Sequence, residues 1–202
     1  MRNHILVLTT SFLISSPAQS SPGETRNTVT QRALNTALTG SQRMDCISCH
    51  VSGQVIAAVG AAETSGFTVN EGQANRLLGY AWSQQQGDGA VYHGGSSYPI
   101  EVSAWVGLAL SYYTENSSLD FRESNFQRVS DYLLSIQNGD GGLPENDHTS
   151  GVISLPTRTL PTMGGLMAWR WQFEATGENR YLPALARAGE WFANYQPVDR
   201  TG

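Results

Sequence analysis

The sequence predicts an all-α protein built from repeated helix pairs that stack into a solenoid or close into a ring. Two observations indicate this class. A short motif, Gln-x-x-Asp, occurs four times along the 202 residues, with its copies 43, 52 and 59 residues apart. Amphipathic stretches precede the motif and more uniformly apolar stretches follow it, as expected of half-exposed and buried helices.

The four copies of the motif lie at residues 42–45, 85–88, 137–140 and 196–199. The two middle copies continue as Gly-Asp-Gly. Glycine supplies positive φ in tight turns, and aspartate bonds the backbone close to it in sequence. Aspartate and asparagine oxygens also suit calcium, but recurrence at the same place in each unit favours a turn. Each repeat therefore has room for two helices joined by this turn.

Two kinds of helical stretch flank the turns. Apolar residues recur at three- and four-residue steps before the motif, which predicts one buried helical face; they include Phe126, Val129, Tyr132, Leu133 and Ile136, and later Tyr181, Leu182, Leu185, Ala188, Trp191, Phe192 and Tyr195. Segments 55–62, 102–113 and 163–173 are apolar nearly all round. Such segments are typical of buried helices. We expect the tryptophans to pack mostly in the core, with lining of the ring's cavity as the alternative for some of them.

The amino-acid sequence around the third copy of the motif indicates a family. Residues 131–142 read Asp-Tyr-Leu-Leu-Ser-Ile-Gln-Asn-Gly-Asp-Gly-Gly, which resembles the repeat of the prenyltransferase and squalene-cyclase proteins. The resemblance covers about residues 28–202 and implies an α/α toroid. The fourth motif is followed by no inner helix, and a closed toroid of this kind has more helices than the seven that the pattern indicates. We therefore expect an incomplete ring, or the N-terminal portion of a longer protein.

The first 20 residues have the order of a secretory signal peptide. A positively charged start, an apolar run at residues 5–14 and the small residues around Ala18 and Ser20 follow one another. The apolar run is shorter than the ~20 residues that a membrane-spanning helix needs. We therefore expect residues 21–202 to be one exported domain, in the periplasm or otherwise outside the cytoplasm, without a membrane span after cleavage.

Composition excludes two classes of function. The net charge is −5, and no basic stripe or arginine-rich tract is present, so we expect no nucleic-acid partner. All 12 basic residues other than histidine are arginine. Because the chain contains no lysine, lysine Schiff-base chemistry is excluded.

The strongest chemical motif is the stretch at residues 44–52. It contains both cysteines of the chain, Cys46 and Cys49, followed directly by His50. In an exported chain, Cys-x-x-Cys-His predicts covalent attachment of haem c. The two thiols bind the porphyrin as thioethers, and His50 is the expected proximal ligand of the haem iron. A Cys46–Cys49 disulfide is the main alternative; a zinc site lacks further ligands nearby, and a thioredoxin-like dithiol lacks its βαβ context.

A second histidine, His93, is the predicted distal ligand of the haem iron. His50 lies five residues after Asp45, and His93 lies five residues after Asp88. The sequence thus predicts that the two histidines lie on equivalent loops of neighbouring helix pairs. Packed helices lie about 8–10 Å apart. That spacing is compatible with two imidazoles on one iron. The alternative for His93 is an ordinary loop histidine. Other candidate ligands for the sixth position of the iron are His148, Met44, Met163 and Met167, and a sixth position without a protein ligand is a further alternative.

The toroid-type repeat combined with an early Cys-x-x-Cys-His resembles a group of bacterial exported proteins, which implies haem binding and redox chemistry. We expect electron transfer or a haem-dependent redox reaction, with a redox protein or a small molecule as partner. The alternative is a terpenoid-cyclase-like or polysaccharide-active toroid enzyme, with a structural disulfide and with Glu101 and Glu145 as candidate acid and base. A non-catalytic binding module is a third hypothesis.

Overall fold

The computed structural model describes residues 25–41, 49–92, 98–114, 117–145 and 158–195. This part of the chain is helical, which confirms the all-α class. Its α-helices are α1 (Arg26–Ser41), α2 (Cys49–Thr64), α3 (Glu71–Ser83), α4 (Pro99–Leu110), α5 (Glu123–Ser135), α6 (Thr159–Thr176) and α7 (Leu182–Asn194). A 3₁₀ turn, Asn179–Tyr181, leads into α7. The predicted signal peptide and the first and last copies of the Gln-x-x-Asp motif lie outside the described residues.

The helices form two layers. Helices α2, α4 and α6 make an inner row, in which α4 packs against both of the others. Helices α1 and α3 pack against α2, α5 packs against α4 and α6, and α7 packs against α6. The predicted alternation of half-exposed and buried helices is therefore confirmed in the described residues. Closure or curvature of this row into a toroid stays a prediction.

The helices of the inner row run parallel to one another. Gly53 near the start of α2 faces the side chain of Trp105 in α4, and Gly60 near the end of α2 faces Tyr113 just beyond α4. The Tyr113 hydroxyl donates to the carbonyl of Ile56 at 3.1 Å. The two glycine contacts join residues that are 52 and 53 positions apart in sequence, and this nearly constant separation fixes the register between α2 and α4.

Glycines also bring α4 and α6 close together. A Cβ at Gly164 would overlap the backbone of Ala104, and a Cβ at Gly107 would lie 2.9 Å from the carbonyl oxygen of Gly164. Because no side chain stands between the two backbones, these helices approach more closely than helices with larger residues at the crossing would. The crossing also fixes the register of α6 relative to α4.

An aromatic cluster fills the core near the C-terminal ends of α4 and α6. Tyr113 stacks on Phe121 with ring centres 5.6 Å apart, and Phe121 contacts Phe126 and Trp171 at 5.5 and 5.1 Å. The Trp171 indole donates to the carbonyl of Tyr113 at 2.7 Å. This confirms core packing for Trp171, and Trp82, Trp169 and Trp191 are buried as well.

The Gly-Asp turns have the predicted role. After α3, Gly89 has φ +94°, and Asp88 Oδ1 accepts from the backbone N–H of Ala90 at 3.0 Å. After α5, Gly141 has φ +92°, and Asp140 accepts from Gly142 at 3.1 Å. The same backbone geometry in two repeats confirms the turn interpretation.

The helix boundaries differ from the apolar segments seen in the sequence. Helix α2 begins at Cys49, earlier than the apolar segment that starts at residue 55, and α4 ends at Leu110 rather than near residue 113. Two boundaries have clear local causes. Asn70 caps α3 by accepting from the backbone of Gln73 at 3.0 Å, and Gly177, with φ +71°, caps the C-terminal end of α6. Among the described residues, no helix is long and apolar enough to cross a membrane.

Candidate haem site

The predicted attachment motif runs into the start of the inner row. Cys49 and His50 are the first two residues of α2. Cys46 and His93 lie outside the described residues, so the structure does not test whether these four residues come together. The sequence placed His50 on a loop, but its backbone belongs to α2 itself. The imidazole is therefore attached to a helix of the inner row.

The register of the inner row identifies the counterparts of the first turn of α2. Ser103 Oγ in α4 accepts from the backbone N–H of Val91 at 2.9 Å, and Thr162 Oγ1 in α6 accepts from Leu143 at 2.9 Å. Ser52 is fully buried, as Ser103 and Thr162 are, and the register set by the contact of Gly53 with Trp105 places it beside Ala104, one residue after Ser103. A buried hydroxyl near the start of each inner helix thus marks the same position in each repeat, and the sequence analysis did not identify this marker. A serine or threonine at the start of each apolar segment would have been the signal.

Measured from this marker, the first repeat has the shortest connection between turn and inner helix. Seven residues lead from Asp45 to Ser52, compared with 15 from Asp88 to Ser103 and 22 in the third repeat. The whole Cys-x-x-Cys-His motif lies within those seven. His50 precedes Ser52 by two residues, as Glu101 precedes Ser103, so counting from the buried hydroxyls makes Glu101 the counterpart of His50 in α4. The equivalence of His50 with His93 holds only when residues are counted from the turn.

Trp105 packs against the first turns of α2. Its Cβ, Cε3 and Cδ2 would lie 3.0–3.4 Å from a Cβ at Gly53, three residues after His50. The Nε1 atom of Trp105 is buried, and within the part of the chain that the structure describes its N–H has no hydrogen-bond partner. Trp82, Trp169 and Trp171 each donate to a backbone carbonyl. Trp105 is also only partly buried as a residue.

The other candidate residues are separated by the fold. Glu101 is 3% exposed in α4, whereas Glu145 is exposed after the second turn. Met163 is 37% exposed on α6, which α4 separates from α2 in the inner row, and Met167 is partly buried. Met44 and His148 lie outside the described residues.

Surface clefts lie away from the start of α2. A cleft of about 330 Å³ on the outer layer is lined by Asp140, Glu190, Trp191, Asn194 and Tyr195. Two clefts of about 490 and 590 Å³ lie between α1 and the segment at residues 65–73, which follows the C-terminal end of α2. Asp140, which lines the first cleft, forms an ion pair with Arg158, with a shortest N–O distance of 2.8 Å. The hydrogen bond from Arg158 lowers the pKa of Asp140 below its ordinary value.

The described residues show no cluster of three or more His, Cys, Asp or Glu side chains placed to hold a metal ion. The predicted site depends mainly on residues 44–50 and on His93, whose side chains lie beyond that description. No protein-family model, curated protein or solved structure matches this chain.

Proposed function

We propose that this chain is an exported c-type haem protein that transfers electrons or uses the haem in redox chemistry. The observation that carries the proposal is the position of Cys-x-x-Cys-His, which spans the shortest turn-to-helix connection and ends on the first two residues of α2. Two thiols one helical turn apart and an adjacent imidazole are the donor set that haem c needs.

The residues near the start of α2 fit such a group. The buried indole N–H of Trp105 lacks an acceptor among the described residues, and leaving a buried donor unsatisfied costs about 1–3 kcal/mol. A porphyrin carries propionate acceptors that meet this need. Cys46 and Cys49 would hold the porphyrin, and His50 would bind the iron. Bound haem supplies one-electron exchange between the ferric and ferrous states.

The chain's own contribution is a rigid support for these residues. Helix α2 is held by close contact at Gly53, which meets Trp105 of α4, and at Gly60, which meets Tyr113. The buried Ser52 follows the motif two residues after His50. A site on a packed helix keeps its ligands in fixed geometry better than a site on a loop. Burial of the surrounding helices lowers the local dielectric, which tunes the reduction potential. We propose a redox protein or a small molecule as partner, and the periplasm as location.

The test is a pyridine haemochrome spectrum with haem staining on a denaturing gel. The protein is exported in a host that expresses the cytochrome c maturation machinery, beside the Cys46→Ala/Cys49→Ala variant. We expect a c-type α band that survives denaturation in the parent and is lost in the double variant. A colourless parent, with a control cytochrome maturing in the same cells, would overturn the proposal, and thiol titration would then show whether Cys46 and Cys49 form a disulfide.

A further inference from the structure

We propose that Trp105 is a positioning residue of the haem site, and that its indole N–H donates a hydrogen bond to a haem propionate. The inference rests on the proposed function and concerns how the second inner helix holds the cofactor. Trp105 is the tryptophan whose buried N–H lacks a partner in the described ranges. It is also the tryptophan that packs against the helix bearing Cys49 and His50.

The register places Trp105 at the correct end of α2. Helices α2 and α4 are parallel, since Gly53 faces Trp105 and Gly60 faces Tyr113. Gly53 follows His50 by three residues, which is less than one helical turn. Long side chains on a helix lean toward the N-terminus of that helix. The indole of Trp105 therefore leans toward the end of the inner row at which α2 begins.

The absence of a side chain at Gly53 allows the contact. Any larger residue there would meet the Cβ of Trp105 at 3.0 Å and push the indole away from α2. Within the described residues, the Cε3 edge of the indole is thus held against α2, and the N–H on the opposite edge of the ring is kept out of water. Such a donor needs an acceptor, and a carboxylate is the acceptor that forms the stronger, charge-assisted bond.

The nearest carboxylate in sequence on the same helix face is Glu101, four residues before Trp105. Glu101 is 3% exposed, but the Trp105 N–H does not bond it. The geometry therefore points to an acceptor from outside the described residues. The propionates of a haem attached at the start of α2 are the acceptors that the proposed function brings to this place.

The test replaces Trp105 with phenylalanine in the full chain, which keeps an aromatic ring and removes the N–H. The matched control is Trp171→Phe, because Trp171 donates to the Tyr113 carbonyl near the opposite ends of the inner helices. Each protein is matured with haem in the periplasm. Resonance Raman spectra report the propionate bending band, and a redox titration reports the midpoint potential.

We expect Trp105→Phe to shift the propionate band and to lower the midpoint potential, because a propionate without its donor places more negative charge near the iron and favours the ferric state. Trp171→Phe should leave both unchanged. A Trp105→Phe protein with attached haem, an unchanged band and an unchanged potential would overturn the inference while leaving the proposed function intact. A parent without haem overturns both.

A second measurement covers the case in which Trp105→Phe does not fold. The unaltered haem protein is unfolded and refolded in D₂O, which exchanges the buried indole proton while the covalent haem stays attached. We expect the propionate bending band to shift relative to the sample in H₂O. An unchanged band means that no exchangeable donor contacts the propionates, and it would overturn the inference.

Discussion

Gln85 and Asn125 join two successive repeats. The Nε2 atom of Gln85 donates to the carbonyl of Asn125 at 2.8 Å, across 40 positions of sequence, and also to Gly89 at 3.0 Å within its own turn. In the next repeat, Gln137 donates to Ala184 at 3.0 Å and to Gly141 at 2.9 Å. In both described copies, the glutamine of the motif therefore bonds its own turn to the first turn of the following outer helix.

Gln85→Ala should destabilise the fold by removing the two hydrogen bonds that Nε2 donates and the one that Oε1 accepts from Asn125 Nδ2 at 2.6 Å. We expect the free energy of unfolding to fall by about 1–3 kcal/mol, measured by urea denaturation followed with far-UV circular dichroism. Gln86→Ala is the control, because the neighbouring Gln86 side chain bonds only an exposed carbonyl at 3.3 Å. Equal stability of the two variants would show that the bonds of Gln85 are not needed to hold the repeats together.

Gly141→Ala should be more damaging than an ordinary turn substitution. Gly141 has φ +92°, and a Cβ there would overlap the carbonyl of Arg187 in α7. Backbone strain alone costs on the order of 1–3 kcal/mol, and the clash adds to it. Gly139→Ala, two residues earlier, is the control because no atom lies within 4 Å of its Cβ position. Thermal unfolding of both variants checks the prediction, and a Gly141→Ala midpoint no lower than that of Gly139→Ala would contradict it.

Gly164→Ala should separate α4 from α6. The added methyl group would overlap the backbone of Ala104, and overpacking of a core usually costs about 1–3 kcal/mol. Gly189→Ala in α7 is the matched control, since nothing lies within 4 Å of its Cβ position. Replacing a helical glycine by alanine there should stabilise by up to about 1 kcal/mol. Opposite signs of the two changes in chemical denaturation are the expected result, and two changes of the same sign would contradict it.

The sequence predicts the helix pairs and the turns because both depend on local order. Periodicity determines which helix face is buried, and Gly-Asp-Gly determines a turn whose hydrogen bonds close within a few residues. The partners of Gln85 and Trp105 are not local: each lies about 40 to 52 positions away along the chain. The connections between turn and inner helix also differ in length. Counting residues from the turn therefore pairs His50 with His93, whereas counting from the buried hydroxyls of Ser52 and Ser103 pairs it with Glu101.

The ion pair between Asp140 and Arg158 should make stability depend on pH at the acidic end. Arg158 lowers the pKa of Asp140, so the stabilisation is fully present above the unfolded-state pKa of about 3.9 and is lost as the pH falls through the lower folded-state pKa. Both side chains are partly exposed, so the contribution should be below about 1 kcal/mol and weaken with salt. It is measured as the difference in unfolding free energy between the parent and Asp140→Asn from pH 7 to pH 2.

The control for this pH dependence is Asp88→Asn. Asp88 makes the equivalent turn bond, to Ala90, and no arginine pairs with it among the described residues. Asparagine keeps the acceptor oxygen in both variants, so only the charge is removed. We expect the Asp140→Asn difference to close as the pH falls, because the charge that pairs with Arg158 is lost, and Asp88→Asn reports the effect of removing a turn aspartate that has no such pair. Parallel curves for both variants would show that the arginine pair does not contribute.

His93 remains the predicted distal ligand, and its replacement tests bis-histidine coordination directly. In the matured haem protein, His93→Ala should convert a low-spin six-coordinate absorption spectrum into a high-spin one and change the midpoint potential, because axial-ligand identity sets both properties. His148→Ala is the control, since His148 lies beyond the Gly-Asp turn of the third repeat. A His93→Ala spectrum and potential equal to those of the parent would exclude His93. A change in His148→Ala instead would assign the sixth position to that residue.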